Sequence, residues 1–177
     1  MARISYVEER DHLELAENIA KIKGARGGLI NIYKLLLHSP TVTMTWFEHI
    51  SAIRWKTQLT PRLREIAIVR IAQAAKYAYA LQQHVPNIAV PDGVSLAECE
   101  ALKDWQASGM FSEAERAALA YVDAMIAGPD VPDDVFNAVR KYYSEREVVE
   151  LTVLVGTYLM HNRVFTALKV DVEQKNK

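Results

Sequence analysis

Three Ser-x-x-Glu tetrads punctuate this chain: Ser95 with Glu98, Ser112 with Glu115 and Ser144 with Glu147. In each, the serine can accept from the amide three residues on while the glutamate reaches back to the serine amide, so the tetrad marks a helix start. Thr60-Pro61 marks a fourth start, with threonine at N-cap and proline at N1, where a missing N–H costs nothing. Val131-Pro132-Asp133-Asp134 places a proline and two acids in a first turn, where the helix dipole favours them. No stretch alternates apolar and polar residues as a half-buried strand would. Glycine is scarce, and three of the seven, Gly24, Gly27 and Gly28, fall in one loop. Amphipathic helices are expected over Asp11 to Lys21, Gly28 to Leu37 and Thr43 to Trp55. The second stops at Ser39-Pro40, because a residue before proline avoids the α region. These signals predict an all-α chain of eight or nine helices, with Asn87 to Gly93 as the main loop of its middle region.

At 177 residues the chain is expected to form one domain, residues 1–177. That length buries ~68–70% of the unfolded surface and needs no staple. With 21 basic and 22 acidic residues it lacks the charge excess of a nucleic-acid footprint. The single cysteine, Cys99, rules out an intrachain disulfide and fits a reducing compartment. The opening MARISYVEERDHLEL carries charges where a signal peptide has an apolar core. The longest apolar runs break well before the ~20 residues of a membrane span. A cytoplasmic protein with no membrane or nucleic-acid partner is the expectation. Arg64-Glu65-Ile66 is echoed by Arg146-Glu147-Val148. A degenerate second helical repeat over 112–170 would explain the echo, and so would helix starts that merely share acidic residues.

The chemistry concentrates in LTPRLREIAIVRIAQAAKYAYALQQH, from Leu59 to His84. Glu65 stands in an apolar helical run, His84 follows nineteen residues later, and Tyr77 and Tyr79 lie between them. A carboxylate, an imidazole and phenols form a general acid–base set. On one straight helix, however, Glu65 and His84 would sit roughly 28 Å apart at ~1.5 Å per residue. No glycine or proline lies between Gln73 and Lys76 to break that helix, so local signals favour continuity. Glu65 can also be a plain helix acid paired with Arg62, Arg64 or Arg70, and His84 a helix-end residue placed by the dipole before Pro86. His12, His38, His49 and His161 have no metal-like spacing, and no metal or cofactor is expected. Tyr158, His161 and Asn162 form a polar cluster on the last helix, more often a buried network than a catalytic one. Beside them Arg163 can grip a substrate carboxylate bidentately.

From about Leu59 to Leu102, the runs LTPRLREIAIVRIA, KYAYALQQHV and SLAECEAL resemble the carboxymuconolactone decarboxylase family, within the alkylhydroperoxidase D-like superfamily. LLLHSP upstream and FSEAERAALAYVDAMIAG with REVVELTVLVGTYLMHNRVFTAL downstream extend the likeness over most of residues 27 to 170. The resemblance implies an all-helical fold whose chain does break near Lys76, bringing Glu65 to the Tyr79–His84 helix. It also implies a homo-oligomer, a trimer or a multiple of it. The family's peroxidases carry a Cys-x-x-Cys pair whose second cysteine lies four residues before the histidine. Those places hold Tyr77 and Ala80 here. Neither can attack or resolve a peroxide as a thiolate does.

Two readings follow. One is a cofactor-free decarboxylase, lyase or isomerase for a small organic acid or lactone, with Glu65, Tyr79 and His84 catalytic and Tyr77 and Arg163 binding substrate. On this reading Glu65→Gln is expected to leave folding nearly intact. The other is a non-catalytic oligomeric binding or scaffold protein in which Glu65 and His84 are a buried structural pair. Whether the three side chains line an open cavity or are packed away discriminates the two.

Overall fold

Thr60 begins the central helix as its sequence requires: its hydroxyl accepts from the Leu63 amide at 3.2 Å, with Pro61 in the first turn. The structure, a computed structural model, describes residues 1–173. Among them are nine α-helices and no strand. In chain order these are α1 (Ala16–Arg26), α2 (Asn31–Leu36), α3 (Pro40–Trp55), α4 (Pro61–Ala74) and α5 (Ala78–His84). They are followed by α6 (Leu96–Ala101), α7 (Glu113–Ala127), α8 (Asp133–Arg140) and α9 (Glu145–Leu168). A π-helical turn, Val85–Ala89, continues directly from α5 into the expected loop.

The chain divides into two compact units. One comprises Met1–Ala52 and the segment from Val164 onward. Its core gathers Val7, Ile19, Ile22, Tyr33, Leu37 and Phe47, and Trp46 meets Phe165 edge-on at 5.5 Å. Here the sequence expectation shifts. The first helix starts at Ala16 after two short 3₁₀ turns and runs through Gly24 to Arg26. It stops only at Gly27, whose φ of 74° ends it in the left-handed conformation that a glycine takes without steric cost. Gly24 is therefore a helix residue rather than a loop residue. The second helix begins at Asn31, not Gly28, and the third at Pro40, ahead of Thr43.

The other unit, Ile53–Arg163, is organised around α4. One face of that helix packs Leu63, Ala67, Ile68 and Ile71 with Val122, Leu151, Leu154 and Tyr158. The other packs Ile66 and Val69 with Val94, Leu102, Trp105 and Leu119. A helix with apolar residues on two faces must be enclosed on both, and in α4 every residue from Leu63 to Val69 is buried, with Ile71 and Ala72. All three Ser-x-x-Glu tetrads close reciprocally, as the sequence predicts: Ser95 with Glu98, Ser112 with Glu115 and Ser144 with Glu147. Arg62 binds two of these glutamates, Glu98 at 2.6 Å and Glu115 at 2.7 Å. One guanidinium thus ties the start of α4 to the starts of α6 and α7, and it holds Glu98 down to about 2. Among the described residues no helix is long and apolar enough to cross a membrane.

Candidate active site

The chain breaks where the local helix signal gave no reason to. After Ala74, Lys76 adopts φ 52°, its amide donates to Gln73 O at 3.0 Å, and Tyr77 N donates to Ala72 O at 2.9 Å. A non-glycine residue in the left-handed region costs roughly 1–2 kcal/mol. Burial of Tyr77, Tyr79, Ala80 and His84 on the returning helix offsets that cost. The local preference for one continuous helix is thereby overridden, and the break near Lys76 that the family resemblance implied is present. Packing outweighs propensity, and α5 turns back so that His84 faces α4.

The result is a hydrogen bond of 2.7 Å between His84 Nδ1 and Glu65 Oε2. Glu65 is 0% exposed and His84 7%. Burial pushes the Glu65 carboxyl up. The His84 hydrogen bond, with the charges of His84, Arg54 and Arg64, outweighs it and holds the group below the ordinary glutamate range. Arg54 Nη2 lies 3.4 Å and Arg64 Nε 3.7 Å from Oε1. Arg64 is itself fixed, donating to Arg54 O at 2.6 Å and to Asp92 at 2.8 Å. Two carboxylates and two guanidiniums therefore balance around the imidazole. Since an ionised carboxylate only accepts, the proton of this hydrogen bond sits on His84 Nδ1, and Nε2 is the ring nitrogen that does not bond the acid.

A third helix completes the surroundings. Tyr158 of α9 meets the His84 ring edge-on at 5.6 Å and stacks on His161 at 5.5 Å. Burial, reinforced by the charges of His84 and Arg54, pushes His161 down to about 3, so this second imidazole is neutral.

Of the side chains singled out in the sequence, the fold joins Glu65 and His84 directly. Tyr77 and Tyr79 are buried and stack on each other at 5.9 Å. Tyr79 lies five residues before His84, which places it about 140° round α5 from that side chain. Arg163 is exposed near the end of α9. Arg62 and Arg70 do not partner Glu65: the former holds Glu98 and Glu115, the latter Asp123 at 2.6 Å. Arg64 does reach Glu65, and Arg54, which no sequence signal marked, joins it. His161, expected to be structural or on the surface, stands against Tyr158 beside the pair. Its i, i+3 relation to Tyr158 was visible in the sequence; the link to His84 was not. Cys99 is buried, and burial with the nearby Glu98 and Glu65 charges raises its thiol. Among the described residues no group of His, Cys, Asp and Glu is arranged to hold a metal ion.

Comparison with known proteins gives the same frame. The carboxymuconolactone decarboxylase family model matches residues 40–124. The uncharacterized protein YnjA of Escherichia coli (strain K12) is 27% identical over 121 residues, which span 68% of this chain and 66% of that protein. A protein of unknown function from Agrobacterium tumefaciens, described as a candidate antioxidant defence protein AhpD, superposes with a TM-score of 0.73 at 25% identity. That match covers 80% of this chain and 97% of the other. The alkylhydroperoxidase AhpD core of a peroxidase-related protein from Ralstonia eutropha JMP134 reaches a TM-score of 0.83 at 17% identity. It covers 98% of this chain and 93% of its own, and supports the fold alone. Residues 40–124 match the carboxymuconolactone decarboxylase family model, and the chain has the all-helical fold of its AhpD-like neighbours, with a single cysteine, Cys99.

Proposed function

We propose that this protein is a cofactor-free acid–base enzyme, a decarboxylase, lyase or isomerase acting on a small organic acid or lactone. The observation that carries this reading is the 2.7 Å Glu65–His84 bond. It fixes one imidazole tautomer and presents Nε2 as the proton-transfer atom. His84 takes a proton from a carbon beside a substrate carbonyl, the C–H electron pair moving onto the carbonyl oxygen, and the imidazolium returns the proton at carbon. In a decarboxylation the C–C bond breaks instead, its pair again held on oxygen as carbon dioxide leaves, and protonated His84 supplies the proton. Glu65 stabilises the imidazolium in either case. It is wholly enclosed, so it acts through His84 and is a positioning residue. Tyr79 donating to the developing oxyanion, with Tyr77 and Arg163 binding substrate, completes the proposal.

A specific observation favours the other reading as well. Glu65, Tyr79 and His84 are 0%, 4% and 7% exposed, packed away rather than lining an open cavity, and Glu65 has three cationic or imidazole partners, as a purely structural ion cluster would. The two readings are separated by carbon-bound hydrogen exchange in deuterium oxide, followed by NMR over a panel of small oxo acids, hydroxy acids and lactones. Catalysis predicts exchange that His84→Gln slows by about two to four orders of magnitude. A panel with no exchange above the buffer rate would leave the scaffold reading.

We also propose a single domain that assembles as a trimer or a multiple of it. Val149, Val153 and Met160 line an exposed apolar stripe on α9, at 60%, 40% and 41% exposure. A monomer by light scattering at micromolar concentration would sink the assembly.

A further inference from the structure

Two guanidiniums share the Glu65 carboxylate with His84, and they use the other oxygen. His84 Nδ1 bonds Oε2 at 2.7 Å, while Arg54 Nη2 stands 3.4 Å and Arg64 Nε 3.7 Å from Oε1. The imidazole and both guanidiniums are nearly enclosed, and Glu65 is wholly so. A buried carboxylate paired with an imidazole alone favours the protonated ring, because the opposite charge stabilises it. A base held in that state cannot take a proton. A further cation on the same carboxylate works the other way: it claims part of the acid's charge and repels a positive ring.

The two arginines differ in what else they face. Arg64 Nη2 donates to Asp92 at 2.8 Å and Nη1 to Arg54 O at 2.6 Å, so its charge is answered elsewhere. Arg54 has, among the described residues, no acid but Glu65 within ion-pair distance. Its guanidinium lies over the Trp55 ring at 5.0 Å, and its carbonyl is gripped by Arg64, so its position is held. The neighbouring helices bring no compensating charge among the described residues. From α9 come Tyr158, edge-on to His84 at 5.6 Å, and the neutral His161. Cys99 of α6, which feels the Glu65 charge, has a raised and so uncharged thiol. We infer that Arg54 is a positioning residue for His84: acting through Oε1 of Glu65, it keeps the acid from locking the ring as an imidazolium. The inference rests on the acid–base reading for its use in turnover, though not for the charge relation itself.

The test is the titration of His84 in the full chain, read from its imidazole nitrogen signals by NMR and assigned with His84→Gln. Arg54→Met removes the cation and is expected to raise the pH of half-protonation by at least about one unit. Arg54→Lys keeps the charge and is expected to restore most of the wild-type profile, which a purely structural guanidinium would not allow. Asp92→Asn strips Arg64 of its counter-charge and is expected to move the midpoint the other way, downward. Asp92 is partly exposed at the edge of the cluster, so this variant decides the matter if the Arg54 variants do not fold. A midpoint unmoved or lowered in Arg54→Met overturns the inference. So does Arg54→Lys matching Arg54→Met, or an Asp92→Asn midpoint that stays or rises. Carbon-bound hydrogen exchange is measured on the same variants. Midpoints that shift as expected without any exchange leave the role of Arg54 standing and sink the acid–base reading. Exchange that depends on His84, with a midpoint indifferent to Arg54, does the reverse.

Discussion

Glu65 and His84, nineteen residues apart, share a 2.7 Å hydrogen bond although Glu65 has no exposed surface at all. The carboxylate holds together more than the imidazole, because Arg54 and Arg64 also turn toward it. Removing it leaves two guanidiniums and an imidazole without their common acceptor.

Glu65→Gln is therefore expected to cost about 3–5 kcal/mol of stability, the range for breaking a buried ion cluster by removing one partner. The fold thus replaces the sequence expectation that this change leaves folding nearly intact. His84→Gln keeps a donor near the carboxylate and should cost less than half as much. Urea unfolding of both variants at neutral pH checks this, and equal losses would show that the imidazole is as structural as the acid.

Acid should weaken the fold through His161. Its folded value near 3 lies below the ordinary 6.5, so the unfolded chain binds a proton that the folded chain refuses. The stability from this residue is complete above pH 6.5, declines as the pH falls, and is gone near pH 3. His161→Phe keeps a ring against Tyr158 and should flatten the stability profile between those limits. A variant whose profile overlays the wild type would show that His161 does not titrate this way.

Lys76 carries a side chain at φ 52°, where glycine is better suited. Lys76→Gly is expected to raise stability by up to about 1 kcal/mol, the relief being partly cancelled by the larger backbone entropy of glycine. A melting temperature lower than wild type would mean that the lysine side chain makes a contact worth more than the strain.

Thiol-coupled reduction of organic hydroperoxides should be absent, since Tyr77 and Ala80 occupy the cysteine places and Cys99 is buried with a raised thiol. Cys99→Ser should change nothing in such an assay. Turnover lost on that substitution would show Cys99 to be a reactive thiol after all.

The legibility of this fold varies with the range of the interaction. Caps are written locally, so Thr60-Pro61 and the three Ser-x-x-Glu tetrads located helix starts that the structure reproduces. The end of α4 is not written locally. Nothing in Ala74-Ala75-Lys76-Tyr77 forbids a helix, and only the burial gained by the returning segment turns the chain; the family likeness supplied what propensity lacked. Arg54 was illegible for a related reason. It lies eleven residues before Glu65 across the loop between α3 and α4, and no spacing rule pairs the two. Tyr158, His161 and Asn162 were visible as a polar patch, but the contact of Tyr158 with His84 comes from the packing of α9 against α4.

The turn at Lys76 also acts as a gauge. One residue more or fewer between Ala74 and Ala78 would rotate α5 by about 100° about its axis and carry the imidazole away from the acid. The length of that connection, rather than the identity of positions 77 and 80, keeps Glu65 and His84 aligned. Those two positions can therefore exchange cysteines for a tyrosine and an alanine while the acid and the imidazole stay in place. The pairing of the acid with the imidazole thus depends on the backbone path of the hairpin and not on which side chains stand at positions 77 and 80.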